Sequence, residues 1–509
     1  MTEQYLIGVD LGTGATKAAL YRRDGTLVAE AMLEVPIHHQ PGVVTQDMDD
    51  FYNTACHTIR MCIEQSGIDP RRIAAVGFDS QMAGVGALDE SFRSAAPFDS
   101  WLDMRCQPYI DYLAANHADA ITRLTGCPPT CDHGPKIMWS RDTQPDVYRR
   151  TAKFVMPSCY VAGRMARLKP DDAFIDYTFI HFSALSDAQQ GSWSSHLIDV
   201  LGVDGAKLPR IVAPWTVIGE VREEAARDSG LAVGTPLVAG AGDTAAGALG
   251  AGIVKPGMLF DTAGTASVLA ASTDQFCADT VNGALLVMRS VIDGLWTPLA
   301  YIAGGGLALR WFRDTFYDSP ETDAYERMGA DAAAIAPGAD GLFFSPHLNG
   351  RICPANPHMR GAWVGFTWGH TRAHFYRAIL EGVAFEYAYY LRILRELLPG
   401  LALTEARVIG GGAKSAVWNQ IKADVLGVPV QRLQRSEFAT WGSALIAGHG
   451  VGLYPDLVEA AQNSARPDGN PFINRPDQTA LYAPLVKQYI SWQGTFSTVF
   501  RENGGTANA

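Results

Sequence analysis

The chain has 509 residues, of which 47% are hydrophobic and 18% charged, and it carries a net charge of −12 at neutral pH. That length admits two or three domains, with apolar mass for more than one core. The acidic balance argues against a nucleic-acid binder or a protein held on an anionic membrane. No apolar run reaches the roughly 18 residues a membrane helix needs. The start, Met1-Thr2-Glu3-Gln4, has no basic region and does not resemble a signal peptide. Eight cysteines in so long a chain do not make a disulfide scaffold. Cys127 and Cys131 lie near His133, but no second pair with ligand spacing follows, so they read as ordinary thiols. The expected location is a reducing cytoplasm.

Tyr5 to Gly14 is an apolar strand running into a Gly/Thr turn; Ala15 to Leu20 and Thr26 to Ala31 continue as strands around the turn Arg22-Arg23-Asp24-Gly25. The pattern predicts an antiparallel meander opening an α/β domain. Asp47 to Gly67 has helical spacing of Phe51, Ala55, Ile59, Cys62 and Ile63 and stops at a glycine. Ile73 to Asp79 is a buried strand that leaves Ser80, Gln81, Met82 and Ala83 at its end, where α/β sheets present ligand-binding groups.

A second unit is expected from Thr235: a strand Pro236 to Ala241, a turn Gly242-Asp243-Thr244, and a small-residue helix to Gly250. Gly257 to Leu269 then repeats the opening theme of apolar strand, Asp, Gly/Thr turn and apolar strand, which points to two halves on one plan. Tyr376 to Leu398 reads as a long helix. Ala406 to Ile409 reads as a strand entering Gly410-Gly411-Gly412, and Ser415 to Leu426 as a helix. From Asn503 to Ala509 the chain has the composition of a loose tail.

Gly12-Thr13-Gly14 offers backbone N–H groups to an anion, and Asp10 just before it could hold Mg²⁺ through water. Gly264-Thr265 is a second such loop. Gly410 to Ser415 lacks the Walker A spacing and reads as a strand-to-helix turn that a flat or phosphorylated ligand approaches closely. Gly240, Gly242 and Ala245 match a dinucleotide fingerprint, with Asp261 placed 21 residues after Gly240. Against that reading, Asp243 would lie where the pyrophosphate must sit. It serves better as a general base reaching into a cleft. Asp103 and Arg105 are either polyol ligands or a local ion pair.

With these residues in view, the chain resembles the FGGY carbohydrate kinases of the actin-like ATPase superfamily, and the xylulokinases most of all. The matching segments are Gly8 to Thr13, Ser80 to Met82, Pro135 to Trp139, Gly240 to Gly247, Leu307 to Asp314, Arg377 to Val383 and Gly410 to Ser415. The resemblance implies an α/β protein of two ribonuclease H-like domains, 1–234 and 235–479, with ATP and sugar meeting in a cleft whose closure excludes water. A terminal helix over 480–500 is expected to pack back on the N-terminal domain. The resemblance further assigns Asp243 as catalytic base, Asp10 to Mg²⁺, and Gly12, Thr13, Gly264, Thr265, Gly411 and Gly412 to ATP. Gln81, Met82, Ala83, Asp103 and Asp243 fall to the sugar. In xylulokinases a His commonly follows the Gln-Met pair, where this chain has Ala83.

The expected activity is ATP-dependent phosphorylation of a terminal hydroxyl of a small ketose, D-xylulose first, with another ketose such as ribulose, or a polyol such as erythritol, as the alternative. An NAD-dependent oxidoreductase and a chaperone-like or filament-forming ATPase are the rivals from other classes. The expected partner is the small sugar, with neither nucleic acid nor membrane; a homodimer is compatible with the family.

Overall fold

The structure, a computed structural model, describes residues 3–264, 266–317 and 324–503, the side chain of Asn503 apart. The chain forms two compact units. The first gathers the chain up to Val254 with Val287–Trp296 and Glu437–Ala465; the second comprises Lys255–Leu286, Thr297–Ser436 and the chain from Arg466 onward.

The first unit is built on a six-stranded sheet in the order Val217–Glu220, Pro236–Gly242, Ile73–Ser80, Tyr5–Leu11, Ala15–Arg22, Leu27–Glu34. Tyr5–Leu11, Ala15–Arg22 and Leu27–Glu34 form the expected antiparallel meander. Ile73–Ser80 then lies parallel to Tyr5–Leu11, and Pro236–Gly242 parallel to Ile73–Ser80. Tyr5–Leu11 is apolar almost throughout because helices cover both faces, so Leu6, Ile7 and Val9 are all sealed from solvent. On one face lies the helix Met48–Ser66. Asp47 caps its start by accepting from the Asp49 amide, and Gly67 ends it in the left-handed conformation.

The other face takes the helix Ala439–Gly450, far along the chain. Its backbone lies so close that a Cβ on Gly8 would meet Thr440 O at 1.7 Å, and one on Gly77 would meet Ser443 O at 2.1 Å. Gly442 in turn lets it touch the helix Asp243–Gly250, with Ala246 O at 1.9 Å from a built Cβ. This packing corrects the expected boundary between 234 and 235. Pro236–Gly242 is a strand of the first sheet, and the helix after it is clamped by Ala439–Gly450, so both belong to the first unit. A second correction is local: Gly242-Asp243-Thr244 is no separate turn, since the helix begins at Asp243 itself.

The second unit repeats the plan. Five strands of its sheet run in the order Trp296–Ile302, Ser267–Ala271, Met258–Ala263, Glu405–Ile409, Val430–Arg432. The first three are antiparallel neighbours and the last two are parallel, matching the first unit strand for strand. The helices Arg372–Leu397 and Ala416–Leu426 pack together beside it. The C-terminal helix Pro476–Asn503 packs within this unit rather than on the N-terminal part. Its Tyr482 and Tyr489 hydroxyls donate to Glu381 and Glu386 of the helix Arg372–Leu397, two carboxylates otherwise buried in the core. The expected tail beyond Asn503 lies outside the described residues. Among the described residues no helix is long and apolar enough to cross a membrane.

Candidate active site

In the first unit three carboxyls meet at the ends of parallel strands. Register places Asp10 directly beside Asp79 on one side and Lys17 on the other. Asp79 is completely buried, its Oδ2 accepting from Ser443 Oγ at 2.7 Å. Burial, then the charge of Asp10, holds the Asp79 carboxyl well above the usual carboxylate range. Oδ1 of Asp79 meets no protein donor among the described residues. Burial also raises Asp10, against the hydrogen bond from Asp79 and the nearby Lys17 ammonium. Lys17 is itself paired with Glu437 at 3.0 Å.

Asp243 opens the helix that follows Pro236–Gly242. Its Oδ1 accepts from the Thr244 amide at 2.5 Å and from Thr244 Oγ1 at 3.2 Å. Oδ2 accepts no hydrogen bond among the described residues. Burial and the charge of Asp10 raise its carboxyl to about 6. A half-buried carboxylate with one unengaged oxygen and a pKa near neutrality suits a general base.

Of the residues expected on the sugar side, Gln81 joins a network with Thr13, which is expected to contact ATP, and with Trp101 and Gln46. The Thr13 hydroxyl accepts from Trp101 Nε1 at 2.9 Å and donates to Gln81 Oε1 at 3.4 Å. Gln81 donates to Gln46, which donates to the Thr13 carbonyl. Met82 lies against Gly242, where a Cβ would come within 2.6 Å of Met82 Cε. Ala83 sits in the left-handed region at φ 61°. Asp103 spends both oxygens internally, on Arg105 and the Val44 amide, while Arg105 also pairs with Asp99; of the two readings, the ion pair is the one found. Gly12 closes the hairpin, its N–H donating to Ala15 O at 3.1 Å.

In the second unit a cavity of about 940 Å³ is lined by Gly264, Gly411 and Gly412 together with Arg310, Tyr325 and Glu326. Gly410 makes the strand-to-helix turn at φ 83°, and Ser415 caps the helix Ala416–Leu426 by accepting from the Trp418 amide. A Cβ on Gly411 would meet nothing within 4 Å, so its backbone is open to the cavity. The cavity has room for a nucleotide-sized ligand, and Ser415 at the N-terminus of the helix Ala416–Leu426 lies in its lining. Thr265 lies outside the described residues. Asp261, the residue a dinucleotide would need, is sealed, bound by Tyr387 at 2.8 Å and by Lys422; it cannot receive a ribose.

Among the described residues no three His, Cys, Asp or Glu side chains converge as a metal cage. Asp10, half-buried at the end of its strand and beside Lys17, fits Mg²⁺ of the kind held by one carboxylate, water and phosphate.

Residues 5–250 match the N-terminal domain of the FGGY family of carbohydrate kinases, and residues 260–451 match its C-terminal domain. The chain belongs to the FGGY carbohydrate kinases. Its enzymatic class is therefore that of a sugar phosphotransferase. A xylulose kinase of Bacillus subtilis (strain 168) is 27% identical over 489 residues, covering 96% of each chain. A glycerol kinase of Solidesulfovibrio magneticus is 28% identical over 472 residues, covering 90% of this chain and 92% of its own. The crystal structure of xylulose kinase from Rhodospirillum rubrum superposes with a TM-score of 0.90 at 26% identity, covering 98% of this chain and all of that one.

Sequence reasoning does not assign Asp79, Gln46, Trp101 or the cavity-lining Tyr325 and Glu326, and it reaches Arg310 only within the matching segment Leu307 to Asp314. Asp79 has a readable signal, a charge inside the apolar strand Ile73–Ser80. Gln46, Trp101, Tyr325 and Glu326 are brought in by tertiary packing alone.

Proposed function

We propose that this carbohydrate kinase transfers the γ-phosphate of ATP to a terminal hydroxyl of D-xylulose, with another small ketose or polyol as the second reading. The observation that carries the reaction is Asp243: raised to about 6, with Oδ2 unengaged, at the start of a buried helix. Its carboxylate takes the hydroxyl proton as the sugar oxygen attacks phosphorus. Asp10 would hold Mg²⁺, which when bound neutralises charge on the transferring phosphoryl group. Gly264, Gly411 and Gly412 leave backbone N–H groups to orient the nucleotide, and Gln81 and Met82 shape the sugar side.

Two relatives named as xylulose kinases support D-xylulose, and a glycerol kinase of similar identity supports the second reading. Ala83 favours neither, since a methyl group offers the sugar no hydrogen bond. The test is ADP release by purified protein with ATP and Mg²⁺ against D-xylulose, D-ribulose, erythritol, glycerol and gluconate. D-xylulose is expected to give the highest kcat/KM; a higher value for another acceptor transfers the assignment to it. Sugar-independent ADP release throughout would instead favour a non-metabolic ATPase.

A further inference from the structure

Asp243 follows a glycine that has no side chain with which to fix itself, and the structure shows what fixes it instead. Gly242 is the N-cap residue of the helix Asp243–Gly250. Its N–H donates to Thr178 Oγ1 at 2.8 Å. The Thr178 hydroxyl is not free to turn, because it donates to Asp176 Oδ1 at 2.6 Å while the Thr178 amide donates to the same oxygen at 2.9 Å. With its proton committed to Asp176, the hydroxyl must present a lone pair to Gly242. Asp176 and Thr178 are both buried, and Asp176 ends a short strand, Phe174–Asp176, paired in parallel with Arg210–Val212. On its other side Gly242 is pressed by Met82.

We infer that Thr178, locked by Asp176, is a positioning residue for the Asp243 base, holding the peptide from which Asp243 projects. This inference rests on the proposed role of Asp243 and adds the device that aims it. The relay delivers neither charge nor proton to Asp243; it sets where the carboxylate stands. Losing it is therefore expected to lower turnover while leaving sugar binding intact. A misplacement of about 1 Å at a reacting group costs about 100-fold in rate.

The test compares wild type with Thr178→Val, Thr178→Ser and Thr178→Cys, reading kcat and KM by ADP release, sugar Kd by calorimetry without nucleotide, and melting temperature. Thr178→Val keeps the shape but can neither donate nor accept; its kcat is expected to fall about 100-fold with sugar Kd held within about three-fold. Thr178→Ser, which restores both hydrogen bonds, is expected to recover kcat to within about three-fold of wild type. If the Val variant does not fold, Thr178→Cys gives the reading, since a thiol of similar size accepts only weakly; a folded Cys variant with depressed kcat and intact sugar Kd supports the role. A folded Val or Cys variant with wild-type kcat overturns it, as does a Ser variant as impaired as Val. A wild type without sugar-dependent ADP release overturns the kinase reading and this one together, whereas an active wild type with indifferent variants overturns positioning alone.

Discussion

The pKa of Asp243 makes a direct prediction at the scale of one residue. A general base works deprotonated, so raising its carboxyl to about 6 moves the acid limb of activity upward from the ordinary carboxylate range. The pH profile of kcat/KM should fall with decreasing pH around 6, and a limb near the ordinary aspartate value would deny Asp243 its surroundings or its role. Thr13 makes a second. Its position in a Gly/Thr turn reads as a phosphate contact, yet its hydroxyl is committed to Trp101 and Gln81. Thr13→Val removes two hydrogen bonds of about 1 kcal/mol each. It should raise the sugar KM about 5- to 30-fold and at least as much as the ATP KM; steady-state kinetics varying each substrate in turn decides it. Asp10 and Asp243 are singled out in the sequence by the strand-and-glycine pattern around them together with the resemblance to the kinases. Asp176 and Thr178 are not, because nothing local in that stretch announces that the hydroxyl reaches Gly242.

At the scale of the element, two adjacent glycines in the turn proposed to hold the nucleotide play different parts. A Cβ on Gly412 would stand 2.4 Å from Trp418 Cζ3 and 2.7 Å from Ala263 Cβ, while one on Gly411 would meet nothing within 4 Å. Gly412→Ala is therefore expected to destabilise the protein by about 1–3 kcal/mol through overpacking. Gly411→Ala should change stability by no more than about 0.5 kcal/mol and act on ATP affinity instead. Denaturant unfolding with nucleotide titration separates the two; equal stability losses would contradict the assignment. The helix after this turn is tied to the neighbouring strand Met258–Ala263 by the buried Lys422–Asp261 pair, so Lys422→Met leaves a buried charge uncompensated, at about 3–5 kcal/mol. A melting temperature unchanged by that substitution would contradict the account of the pair. Helix limits such as Met48–Ser66 are readable from Asp47 and Gly67, whose cap chemistry is local. The pattern misplaces the start of the helix at Asp243 because Gly242 resembles a turn residue, whereas its want of a side chain serves the contact with Met82.

The two units share one strand plan, and the repeat at Gly257 to Leu269 carries that plan in the residues themselves. The boundary is displaced from the expected one because Ala439–Gly450, nearly two hundred residues beyond Pro236–Gly242, completes the first unit's packing, and no local pattern marks so distant a contact. Family membership follows from the matched domains; the sugar does not, because relatives of similar identity are named for different acceptors and Ala83 departs from the xylulokinase pattern. The central claim, that Asp243 is the base in phosphorylation of D-xylulose by ATP, is tested most directly by kcat for D-xylulose in wild type and Asp243→Asn side by side, with ATP affinity measured on both. The account predicts sugar-dependent turnover in wild type, lowered by about 10²- to 10⁴-fold in the variant with ATP affinity preserved. Near-normal turnover in Asp243→Asn, or a wild type that ignores D-xylulose, would contradict it.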